Sequence, residues 1–138
     1  PNLAVVMVLY LYSWKEAIAV SFVRILVIGF LFGNAFSIAF SLAGGMLSLL
    51  CMEAVRRFLK LSCTGVSMIG GVTHNLGQIL VAMVVVENVR VGYYFSILAV
   101  TGLVTGILIG ILAAELVKRI RRAVGSEFDN KRESGRKS

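Results

Sequence analysis

The chain has 138 residues, 58% of them hydrophobic, with a mean hydropathy of +0.89 and a formal net charge of +7. A water-soluble domain of this length needs far more polar surface to cover its core, so the composition excludes an ordinary globular fold. At about 20 apolar residues per membrane-crossing helix, the chain holds one compact bundle of about five spans and no separate soluble domain.

Apart from Arg24, every charged residue falls at a break between apolar runs or in the C-terminal tail. This divides the chain into predicted helices over residues 2–13, 16–32, 35–52, 64–86 and 91–117. The first run is short for a crossing and begins at Pro1 rather than a Met, so we expect a preceding helix and six spans in the full-length protein. Trp14, Lys15 and Glu16 form one tight corner and Gly33 with Asn34 another, which makes neighbouring helices antiparallel. The third run extends as an amphipathic segment through Arg56, Arg57 and Lys60.

The fourth run, TGVSMIGGVTHNLGQILVAMVVV, carries His74, Asn75 and Gln78 and no formal charge. Polar groups at that depth are costly and mark functional positions in membrane proteins. Ser67, Gly70 or Gly71, His74 and Gln78 follow helical spacing and share one face, with Asn75 beside it. Arg24 lies about 12 Å from either end of its own helix at 1.5 Å per residue, which is the depth of His74. A second stripe, Ser37, Ser41, Gly44 or Gly45 and Ser48, runs along the third helix. We expect these faces to point into the bundle.

Two readings stand for each feature. Arg24 either lines a substrate cavity or is a structural residue satisfied by carbonyls or a carboxylate. His74 and Gln78 either orient a ligand or bond between helices, and the serine stripe serves packing or ligand contact.

The fifth run repeats Gly102, Gly106, Gly110 and Ala114 every four residues, a smooth groove for close approach of another helix. The spacing does not say whether that helix belongs to this chain. Residues 125–138 read as a disordered, basic cytoplasmic tail beyond a helical bundle of residues 1–124.

Lys15, Arg56, Arg57, Lys60, Lys118, Arg119, Arg121 and Arg122 fall on one predicted side, and Arg90 on the other. The positive-inside rule therefore puts the C-terminus in the cytoplasm. Residues 118–138 hold eight basic and three acidic residues, without aromatics alternating to stack on bases. This pattern argues for topology and anionic lipid headgroups, and against nucleic acid. Cys51 and Cys63 match no zinc or redox spacing, and a lone His without nearby carboxylates predicts no metal site. Asp-rich diphosphate motifs, phosphate loops and nucleophile elbows are absent from the sequence, so an enzyme acting alone is not expected, nor is a cofactor.

Pro1-Asn2 leading into an apolar run, LYSWKEA (11–17), VRILVIGFLFG (23–33), FSLAGGMLSLL (40–50) and above all GVSMIGGVTHNLGQ (65–78) carry a resemblance. Over residues 1 to about 114 the chain resembles the Gx transporter family, whose members are also labelled heptaprenyl diphosphate synthase component I. That family is similar in size and layout to the substrate-binding S components of energy-coupling factor transporters. The resemblance implies a multi-pass subunit of a bacterial cytoplasmic membrane that binds a small molecule and works with a transmembrane coupling protein and cytoplasmic ATPases. On this reading Arg24 meets an anionic or carbonyl group, His74, Asn75 and Gln78 orient the substrate, and Asn2 closes the site. The synthase label implies the alternative, a membrane accessory subunit in making a long isoprenoid diphosphate.

Overall fold

The computed structural model describes residues 3–137, and every regular element among them is helical. The helices are α1 (Leu3–Leu11), α2 (Trp14–Phe32), α3 (Ala35–Ala54), α4 (Cys63–Val86) and α5 (Phe95–Lys137). A π-helical turn, Val55–Leu59, continues α3, and a 3-10 turn, Val89–Tyr94, leads into α5. The all-α bundle expected from the apolar periodicity is therefore the fold.

Short polar residues set the helix boundaries. The Asn34 side chain accepts from Ser37 N–H at 2.9 Å and caps α3. Ser62 accepts from Gly65 N–H at 3.3 Å and caps α4, and Asn88 accepts from Arg90 N–H at 3.0 Å to open the 3-10 turn. Each cap satisfies a donor that the first helical turn leaves free. Lys60 and Glu87 end the third and fourth helical stretches with left-handed φ values of 51° and 53°. A left-handed residue just past a helix reverses the chain, and here two charged side chains occupy positions more often held by glycine.

Three stretches, Ala35–Leu59, Cys63–Val86 and Val89–Arg136, are long and apolar enough to cross a membrane. The other two helices do not meet that measure over the described residues. α1 has nine residues, roughly 14 Å, and α2 has nineteen but carries Lys15, Glu16 and Arg24. The stretch from 125 onward, expected to be disordered, instead continues α5 to Lys137, giving one helix of 43 residues. Within it Lys131 pairs with Glu127 at 3.3 Å across one turn, a local contact that favours helix.

α4 is the central strut. It packs most extensively against α5 and next against α3, while α1 touches α2, α4 and α5. Val6 and Leu9 of α1 are fully buried and join Leu49, Met52, Val66 and Ala113 in the core. Phe30, Phe32, Leu108 and Ile111 stand exposed on the outer faces of α2 and α5. Such apolar exteriors suit hydrocarbon, where helices associate through close packing and hydrogen bonds instead of a hydrophobic drive.

The two ends of the bundle differ in charge. Tyr10 Oη donates to Leu61 O at 3.4 Å and Arg121 donates to Tyr10 O at 2.8 Å, bringing the end of α1, the start of α4 and residue 121 of α5 to one end. Trp14 and Phe58 border a common groove, so the start of α2 and the end of the π turn lie there too. All the basic residues counted on one side of the sequence, from Lys15 to Arg122, belong to these segments.

Candidate functional site

Two adjacent glycines of α3 organise the site. A Cβ on Gly44 would lie 2.7 Å from His74 O and 3.1 Å from His74 Nδ1, whereas one on Gly45 would lie 3.1 Å from Ile25 Cδ1 and 3.5 Å from Ser21 Oγ. Gly44 thus lets α3 lie against α4, and Gly45 lets it lie against α2. Consecutive helical residues point about 100° apart, so this dipeptide seats one helix between two neighbours.

Between the three helices a cavity of about 210 Å³ remains open. Arg24 and Ser21 line it from α2, Ser37, Ser41 and Ser48 from α3, and His74 from α4. Val5 of α1 and Met52 of α3 contribute apolar wall. Arg24 is exposed at the rim, and among the described residues no carboxylate forms an ion pair with it. A guanidinium without a carboxylate offers a charge and a planar fork of donors to an incoming acceptor. The serine hydroxyls can both donate and accept, and the imidazole adds one nitrogen of each kind when neutral.

The structure brings together some of the expected residues and separates others. Arg24 and His74, matched only by depth in the sequence, line the same cavity. The serine stripe joins them, although Ser48 Oγ also donates to Gly70 O at 2.9 Å and so ties α3 to α4. Gln78 lies one turn beyond His74, its Cγ 3.0 Å from where a Gly44 Cβ would stand, and it borders the α3 contact rather than the cavity. Asn75 faces the other way. Its Nδ2 donates to Leu98 O of α5 at 2.6 Å and lies 2.8 Å from a Cβ built on Gly102. Ser67 is fully buried, and its hydroxyl has no hydrogen-bond partner among the described residues. Asn2 lies outside the described residues.

The polar face of α4 is therefore divided between two neighbours. Gly70, Gly77 and Gln78 meet α3, while Thr64, Ser67, Gly71 and Asn75 meet α5. The partners on α5 are Gly102, Gly106 and Gly110, where an added Cβ would come within 2.6–2.7 Å of Gly71 O, Ser67 O or Thr64 Cα. The glycine groove thus receives a helix of its own chain. Ala114, the fourth member of the repeat, instead borders a cleft at the basic end of the bundle.

Ser21 is the polar lining residue that sequence reasoning missed. Its signal was present as a hydroxyl three residues before Arg24, on the same helical face. Among the described residues no group of three or more His, Cys, Asp or Glu could hold a metal. What the cavity can do chemically is bind a small group with acceptor atoms, by one cation, several hydroxyls and an imidazole.

Neither a curated protein nor a solved structure matches the chain. The family model described as heptaprenyl diphosphate synthase component I matches residues 1–116. The chain belongs to that family.

Proposed function

We propose, from this family membership, that the chain is a membrane-embedded, non-catalytic component of a heptaprenyl diphosphate synthase system. Its task is to bind a small, anionic or carbonyl-bearing isoprenoid-related ligand in the cavity between α2, α3 and α4. The family match over residues 1–116 is the observation that carries this reading. The cavity supports it, because Arg24 supplies a cation for an acceptor group while Val5 and Met52 supply apolar wall. In this reading Arg24 holds the ligand's charge and His74 orients it, with Gln78 and Asn75 keeping α4 in place and Asn2 contributing from the N-terminal side. Residues 1–124 form the membrane unit and 125–138 its basic extension on the cytoplasmic side of a bacterial membrane.

The direct test is co-purification. Full-length protein should bring down a soluble prenyltransferase and raise its activity in a reconstituted membrane. A protein that neither binds nor stimulates such an enzyme overturns the assignment.

A second reading is favoured by one observation. The cavity residues Arg24 and His74 sit near the middle of their helices, where transporters place their substrate sites. A substrate-binding subunit for uptake, similar to an energy-coupling factor S component with six spans, would instead co-purify with a transmembrane coupling protein and two ATPases. Mass spectrometry of small molecules retained after gentle purification serves both readings by identifying the ligand.

A further inference from the structure

At the basic end of the bundle, Lys118, Arg121 and Arg122 of α5 line a cleft of about 500 Å³ with Tyr10 of α1 and Cys63 of α4. The three cations fall within one turn and a half, so they share a face. Arg121 is held there, its guanidinium donating to Tyr10 O at 2.8 Å across 111 residues of sequence. The other helical arginines at this end are occupied. Arg56 and Arg57 both pair with Glu53, and Arg119 pairs with Glu115, whereas Lys118, Arg121 and Arg122 have no ion pair among the described residues. Glu115, the nearest carboxylate in sequence, is already bound by Arg119 at 3.0 Å. Two turns nearer the middle of α5, Ile111 continues the face of Lys118 and is exposed, offering apolar contact directly below the cations.

We infer that this cleft is a binding site for the phosphate headgroup of one anionic phospholipid, whose acyl chains run down α5 past Ile111. Unpaired cations between helix ends at a membrane surface are the chemistry that recognises such headgroups. The apolar continuation favours a lipid over free phosphate. The bound lipid would tie α1 and α4 to α5 at the basic end of the bundle.

The test uses the full chain in detergent, with native mass spectrometry titrated with phosphatidylglycerol, phosphatidylcholine or inorganic phosphate. Phosphatidylglycerol should be retained at one high-affinity copy per chain, and K118Q/R122Q should weaken that copy about thirtyfold, at about 1 kcal/mol per cation near a membrane surface. This pair leaves the Arg121 contact to Tyr10 intact, and R132Q in the distal helix serves as a control that should change nothing. Equal retention of phosphatidylcholine, equal affinity in K118Q/R122Q, or displacement of the lipid by inorganic phosphate at millimolar concentration would each overturn the proposal.

Discussion

The α4–α5 contact and the α2–α3–α4 cavity are both built from small residues, yet one is closed and the other open. Along α5 the glycines recur every four residues and face a single partner, so backbone meets backbone from Gly71 to Thr64. Along α3 the small residues serve two partners at once, with Gly44 toward α4 and Gly45 toward α2. Two helices cannot both close on the same stripe, and the space between them is the cavity lined by Arg24 and His74. Small residues therefore produce adhesion where one helix faces one groove, and a pocket where one stripe is shared.

That contrast can be broken by substitution. The largest effect is expected for Gly106→Leu, because even a Cβ there would stand 2.7 Å from both Ser67 O and Met68 Cα. It should destabilise the bundle by about 3 kcal/mol or prevent assembly, as overpacking does, and a thermal aggregation assay in detergent reads it. A variant that melts with the wild type would mean α5 does not close on α4 as described. Arg24→Leu probes the open region. It should lower retention of the cavity ligand by about tenfold or more while the melting midpoint stays within a few degrees, consistent with the loss of a charge-assisted contact. Full retention would remove Arg24 from the site.

Smaller changes sharpen the boundary between the two regions. Asn75→Leu should cost about 1 kcal/mol of stability by deleting the bond to Leu98 O. Ligand retention should be unchanged, and its loss would put Asn75 back in the cavity. Ser48→Ala should cost less, about 0.6 kcal/mol, since the bond it makes to Gly70 O accompanies packing that survives the change. A small rise in ligand dissociation with no stability change would instead show that the hydroxyl serves the cavity first.

Much of this architecture is legible in the sequence alone. The corners at Trp14, Asn34 and Glu87 end apolar runs, and the helices begin or end within a few residues of them. The repeat from Gly102 to Gly110 announced a close helix contact, and the matched depth of Arg24 and His74 announced a common layer. The distal helix was not legible, because a charged, glycine-containing segment has the composition of disorder, while its local ion pair between Lys131 and Glu127 favours helix. Ser21 was passed over because its only signal is its place three residues before Arg24, and that face gains meaning only once packing turns it toward the cavity.

Residue spacing along a helix states which side chains share a face, because 3.6 residues per turn is a property of the backbone alone. It therefore sufficed for the all-α class, the helix limits as far as the start of α5 and the polar face of α4. How that face is turned toward its neighbours depends on how the helices pack around it. Only packing decided that Asn75 bonds to α5, that Gly106 lies on Ser67 rather than on another protein, and that His74 looks across the gap to Arg24. The azimuth of a helix is set by the sum of contacts with all its partners, and those partners come from distant parts of the chain.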